Sequence, residues 1–271
     1  MAQKKTTENF LKGRANNKVR PIILKYDTFG FASSSVLLSI GRTKVLVSVT
    51  LQNSVPRFLK GQKKGWLAAE YAMLPCATKK RTTREGSQGY KSSRSVEISR
   101  LIGRCFRSVV DLEVFSDKTI MIDCDVLQAD GGTRVACITA ASVALKLAEK
   151  RWLENQIIEQ SFLKEEIAAI SVGLVDNKAY LDLDFYLDSN AQADFNFVFT
   201  KSEKLIEVQG TAEKEPISFE QFENLKKLAL NGVKQIFSVI DSNGNKKNTA
   251  KIGINRSKTS MFSLGNRINN I

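Results

Sequence analysis

Residues 119–152 carry the feature that most restricts the fold. From Thr119 to Val126 the residues alternate: Ile120, Ile122, Cys124 and Val126 face one way, Met121, Asp123 and Asp125 the other. That two-residue period predicts a strand with one face covered. Asp130, Gly131 and Gly132 follow, and then a segment from about Thr133 to Trp152 rich in alanine and β-branched residues. It predicts a helix whose first half, at least, is buried. A strand that runs through a glycine turn into a buried helix has to be enclosed by other elements of the chain.

The rest of the sequence supplies them. VLLSI, GRTK and VLVSVTL (36–51) read as a hairpin around a glycine-containing turn. Residues 54–94 lack a clear period and hold many Gly, Lys and Arg, so a long loop is expected there. Ser95–Leu112 reads as a helix with Ile98, Leu101, Ile102, Cys105, Phe106 and Val109 on one face, capped by Ser93 or Ser95. A second half repeats the plan. IAAISVGLV (167–175) and KAYLDLDFYL (178–187) pair across Asp176-Asn177, and NFVFT (196–200) pairs with KLIEVQG (204–210) across Ser202-Glu203. Ser218 and Gln221 form a capping box for a final helix, whose core face is Phe222, Leu225, Ala229, Val233, Ile236 and Ile240. The expected fold class is α+β, in two related layers of about 14–155 and 165–244. A basic arm (1–13) precedes them. A basic tail (245–271), with six Lys/Arg and no acid, follows and is expected to be disordered.

Charge narrows the function. Lys and Arg number 41 against 28 acids, a net +13, which suits a polyanionic partner; a lysine-rich solvated surface is the competing reading. Histidine is absent from all 271 residues, which removes the commonest general base and every Ser-His or Cys-His nucleophile pair. Cys76, Cys105, Cys124 and Cys137 show neither metal-knuckle nor disulfide spacing, and three of them sit in apolar patterns as core thiols. With no apolar signal segment and no apolar run long enough to span a bilayer, a cytoplasmic setting is expected, either bacterial cytosol or organelle interior.

Three groups of residues carry chemistry. Gly131, Gly132, Thr133 and Arg134 stand at a helix start, where unpaired N–H groups bind anions, glycine lets the backbone approach, and arginine matches phosphate with two donors. A capped strand-to-helix turn explains the same residues, but Arg94, at the start of the preceding helix, gives a second cation for the same anion. Asp182, Asp184, Asp188 and Asp194 crowd one segment; Asp182 and Asp184 are expected on one strand face, with Asp188 and Asp194 flanking the turn DSNAQA. Close carboxylates favour a hard cation such as Mg²⁺, against the reading of solvated turn aspartates. Arg57, Lys60, Lys63, Lys64, Lys79, Lys80, Arg81 and Arg84, interleaved with Phe58, Trp66 and Tyr71, suit a single nucleic-acid strand.

NKVRP (17–21), VPRFLKGQ (55–62), AEYAMLP (69–75), RSVEISRLIGR (94–104), IDCDVLQADGGTR (122–134), DLDFYLDSNAQADFN (182–196) and IEVQGTAE (206–213) together resemble the ribonuclease PH family over roughly residues 14–240. The resemblance implies a ribosomal-protein-S5-domain-2-like core of two β-α-β-α layers. It implies phosphorolytic 3′→5′ trimming of RNA, tRNA precursors especially, with inorganic phosphate as co-substrate and nucleoside diphosphates as products. Nucleotide addition is the reverse reaction. It places phosphate on Arg94, Gly132, Thr133 and Arg134, catalysis and metal on Asp188 and Asp194, and RNA on Arg81 and Arg84, with Lys79 and Lys80 beside them. It further implies a homo-hexamer built as a trimer of dimers. Cys76 stands where the family usually has an arginine, and Arg94 follows Ser92-Ser93 where the family usually has glycines. A catalytically inactive RNA-binding ring subunit and a hydrolytic nuclease are the alternatives.

Overall fold

The computed structural model describes residues 14–87 and 89–246. The expected arm at 1–13 and the tail beyond Lys246 lie outside the described residues.

The first half is a five-stranded sheet in the order β1-β2-β3-β5-β4, formed by β1 (Ile22–Tyr26), β2 (Ser34–Ile40), β3 (Thr43–Gln52), β4 (Trp66–Met73) and β5 (Thr119–Gln128). The expected β2–β3 hairpin turns at Gly41, whose φ is +56° and whose backbone packs on the Arg20 side chain. The region expected to be a long loop holds β4, which pairs in parallel with β5 from Trp66↔Thr119 to Met73↔Val126. Parallel neighbours need a crossover, and α1 (Ser93–Arg107) provides it. The α1 cap is Ser92 rather than the expected Ser93 or Ser95: its hydroxyl accepts from the Ser95 N–H. The helix stops at Arg107, and Leu112–Val114 form a separate 3-10 turn. On β5 the expected alternation holds: Ile120, Ile122, Cys124 and Val126 are buried, whereas Met121, Asp123 and Asp125 are half-buried.

The second half is a four-stranded antiparallel sheet in the order β7-β6-β8-β9, from β6 (Ile167–Val175), β7 (Lys178–Leu181), β8 (Ala193–Thr200) and β9 (Leu205–Ala212). KAYLDLDFYL is not one strand. β7 ends at Leu181, Asp182 takes φ +55°, and Asp184 N-caps the short helix α3 (Phe185–Asn190) by accepting from the Tyr186 and Leu187 N–H groups. Asp182 and Asp184 therefore do not share a strand face. The last helix, α4 (Phe219–Lys246), starts at the expected Ser218–Gln221 box and buries Leu225, Ala229, Val233, Ile236 and Ile240 on the second sheet, with Phe222 half-buried. Residues 245–246, expected to begin the tail, belong to it.

Between the halves runs α2 (Thr133–Glu154), packed on β2 and β3 of one sheet and on β6 of the other. That explains its all-round apolar first half. Its buried polar side chains do a specific job. β7 covers only Val172–Val175 of β6, which leaves the Ile167 and Ala169 amides on an open edge. Ser142 Oγ accepts from Ile167 N–H at 3.0 Å, and Thr139 Oγ1 accepts from Ala169 N–H at 3.1 Å. A helix thus closes a sheet edge with hydroxyls, where an unpaired edge would cost hydrogen bonds.

Candidate active site

The site forms where the two halves meet at the start of α2. Gly131 and Gly132 both have positive φ, +78° and +68°. At Gly131 the conformation is not the only demand: a Cβ there would lie 2.4 Å from the Leu183 carbonyl oxygen. The glycine lets the loop before α3 lie directly on the loop before α2. Arg20 locks the two together. Its guanidinium donates to both carboxylate oxygens of Asp182, at 2.8 Å each, and to the carbonyl of Asp130 at 2.6 Å. Burial opposes the Arg20 charge, but the Asp182 carboxylate outweighs it and raises the Arg20 pKa. Asp182 is 1% exposed and committed to this pair, so it serves structure.

Gly132 caps α2 without a side-chain hydrogen bond, leaving first-turn amides of a 22-residue helix at the wall of an open cavity of about 710 Å³. Arg94, Gly131, Gly132, Thr133 and Asp188 line that cavity, together with Lys79 and Lys80. Arg94 occupies the first turn of α1, beside the Tyr71 hydroxyl. Tyr71 in turn shares a hydrogen bond of 2.9 Å with Thr133 Oγ1. Burial, together with nearby Cys137, pushes the Tyr71 phenol up to about 12, so it stays neutral and links β4 to the mouth of α2.

Arg134 points elsewhere. One of its terminal nitrogens donates to Gln209 Oε1 on β9 at 2.8 Å and to Glu97 Oε1 on α1 at 3.2 Å. Still, it is near enough to Asp188 and Asp194 to favour their charged forms.

The two carboxylates come from different elements. Asp188 lies on α3, which is anchored beneath by buried Leu183 and Leu187. Asp194 lies near the start of β8, opposite Gly173. Partial desolvation raises both pKa values; Asp194 pushes Asp188 further, and Glu213 pushes Asp194. Among the described residues no third His, Cys, Asp or Glu completes an all-protein metal cage.

Two family models match this chain, both described as the 3′ exoribonuclease family: domain 1 over residues 18–151 and domain 2 over residues 165–232. Ribonuclease PH of Tropheryma whipplei strain Twist is 50% identical over 220 residues, 81% of this chain and 89% of that protein, and the strain TW08/27 protein matches to the same extent. This chain belongs to the ribonuclease PH family. It is a phosphorolytic 3′→5′ exoribonuclease. Among solved structures, rice (Oryza sativa) Rrp46 has the same fold at a TM-score of 0.70 and 18% identity, over 86% of this chain and 98% of its own. A chain of the Archaeoglobus fulgidus exosome with RNA bound to the active site gives 0.70 and 18%, over 85% and 92%.

Within this ribonuclease PH chain the expected phosphate residues separate into two sets. Arg94, Gly132 and Thr133 share the cavity with Asp188, whereas Arg134 and Asp194 are not among the residues lining it. Arg81 and Arg84 are exposed and also lie off that wall; Arg84 is near enough to Asp125 to stabilise its charge. Several residues of the site were not expected. Arg42, Cys76, Asp130 and Phe185 line the cavity, and Arg20 supports it. Arg20, Asp130 and Phe185 lie inside the motifs NKVRP, IDCDVLQADGGTR and DLDFYLDSNAQADFN, and Cys76 stands at the position where the family usually has an arginine; Arg42 left no such signal.

Proposed function

We propose that this cavity is where inorganic phosphate attacks the last internucleotide bond of an RNA chain. The observation that carries the reading is the meeting of Arg94, the open amide end of α2 and Asp188 in one cavity, with Lys79 and Lys80 at its side. Phosphate is already an oxyanion nucleophile at neutral pH, so the absence of histidine is no obstacle. Arg94 and the Gly132–Thr133 backbone hold the attacking phosphate; Arg134, near Asp188 and Asp194, joins them by exchanging its Gln209 and Glu97 partners for the anion. Lys79 and Lys80 hold the RNA backbone, with Arg81 and Arg84 further along its path. Catalysis is then positioning and charge stabilisation, as in other phosphoryl transfers. The reverse reaction adds nucleotides from diphosphates.

Asp188 and Asp194 fit Mg²⁺, which takes one or two carboxylates, keeps several waters and completes its shell with substrate phosphates. Bound there, it would neutralise charge at the reacting phosphorus and the departing 3′ oxygen. The raised proton affinities of the two carboxylates are what a cation would relieve. The RNA class we propose is tRNA precursors, the assembly a homo-hexameric trimer of dimers, and the setting cytoplasmic; no helix among the described residues is long and apolar enough to cross a membrane.

The test is product identity. A 3′-tailed RNA incubated with phosphate should yield nucleoside diphosphates, and none without it. Monophosphates, or release independent of phosphate, would refute the reading. Arg94→Ala should raise the KM for phosphate by roughly tenfold or more, the scale of a lost charge-assisted contact, with RNA affinity held. An equal loss of RNA affinity would move Arg94 to the RNA path. Sedimentation or light scattering checks the hexamer, and a chelator titration with Mg²⁺ restoration checks the metal.

A further inference from the structure

Phe185 has no part in the chemistry above, yet its placement is unusual. It is 54% exposed, although it immediately follows the buried Leu183 and the capping Asp184. It lines the same cavity as Arg94, Thr133 and Asp188. It stands on α3 one helical turn before Asp188, on the same side of the helix and in the same cavity lining. The Lys79 ammonium lies over the ring, 5.7 Å from its centroid. The core gains little from so exposed a phenyl group; the small cluster under α3 is built from Val175, Tyr180, Leu183, Leu187 and Ala191. An exposed aromatic ring with a cation over one face, beside the proposed phosphate site, matches what single-stranded nucleic acid needs. The base stacks on the ring while the cation meets the adjoining phosphate.

We propose that Phe185 is a stacking platform for the base of one of the two nucleotides flanking the scissile bond. The inference rests on the phosphorolytic site proposed above, and gives that site a sequence-tolerant grip on its substrate. Every base has a π-face, so an enzyme that removes successive nucleotides gains hold without selecting among them. Lys79 steadies the ring and supplies a backbone contact.

The experiment compares wild type, Phe185→Ala and Phe185→Trp on a 3′-tailed RNA with all its bases. The same RNA is also used with a single abasic residue at the last or the penultimate position. Phe185→Ala should raise the KM for intact RNA roughly five- to a hundredfold, the range for one base–aromatic stack, and leave the KM for phosphate unchanged. An abasic residue at one of the two positions should cost wild type a similar factor and cost Phe185→Ala nothing further. Phe185→Trp should restore binding. The platform is overturned if Phe185→Ala shifts the RNA KM less than about twofold, or if both abasic penalties persist undiminished in the alanine variant. The phosphate reading is judged separately: if Arg94→Ala leaves the phosphate KM unmoved while Phe185→Ala behaves as stated, the phosphate assignment falls and the stacking assignment stands.

Discussion

At the level of single residues, the buried ion pair under the site is the most consequential contact. Arg20 and Asp182 are 7% and 1% exposed, and the guanidinium also holds the Asp130 carbonyl. Removing one member of such a pair leaves the other charged and unpaired out of water, at a cost of about 3–5 kcal/mol. Asp182→Asn should therefore lower Tm by roughly 10 °C or more for a domain of this size, visible by calorimetry, and should lower turnover because both site loops depend on the clamp. A variant with unchanged Tm would show that the pair is dispensable. Asp188 behaves in the opposite sense. Its pKa is raised by desolvation and by Asp194, so the folded state holds its proton more tightly than the unfolded chain does. The stability that this proton affinity gives is fully present below the unfolded pKa and is lost as pH rises through the folded one. Asp188→Asn should thus raise Tm at neutral pH and leave it unaltered in acid, while lowering kcat by roughly a hundredfold or more. A thermal scan across pH decides: a Tm difference that does not shrink in acid contradicts the assignment.

Elements show what the sequence could and could not reveal. β5 and α2 were legible because each carries a strong pattern: alternation in one, unbroken small apolar residues in the other. β4 was not. Trp66-Leu-Ala-Ala-Glu-Tyr-Ala-Met contains no β-branched residue, and three alanines weaken its strand propensity. It becomes a strand because β5 offers a parallel edge along its whole length. α3 was missed for a different reason. Asp182 and Asp184 sit two residues apart like strand neighbours, but Asp182 is drawn into the Arg20 pair and Asp184 caps a helix instead. The glycine turn that opens α2 is legible in Gly131 and Gly132, whereas the partner that tethers Arg134, Gln209 of β9, lies 75 residues away and has no local signature. The polar residues of α2 give an element-scale prediction. Thr139→Val keeps the volume and strips the Ala169 amide of its partner, so it should destabilise by about 1–3 kcal/mol, whereas Thr139→Ser should cost less. Denaturant midpoints of the two variants measure this. Equal midpoints would mean that the β6 edge is satisfied another way.

For the whole molecule, net charge and site geometry make a joint claim about how RNA is held. A charge of +13 guarantees some affinity for any polyanion, so binding alone says little about the site. Salt dependence separates general attraction from contacts made at the cavity. Each phosphate neutralised on a single strand steepens the fall of log affinity with log salt by about 0.7. Lys79 and Lys80 are exposed residues of the cavity lining, so each can meet a phosphate. Replacing both by alanine should therefore make the slope shallower by about 1.4 and should leave the KM for phosphate where it was. Neutralising Lys226 and Lys234 of α4 is the control, since they pair with Glu223 and Glu203 on a surface that contributes nothing to the cavity lining. Were the control pair to flatten the slope as much as the cavity pair, RNA would be held by the diffuse charge of the surface. Were only the cavity pair to do so, the strand follows a defined track past Lys79 and Lys80 toward Arg94.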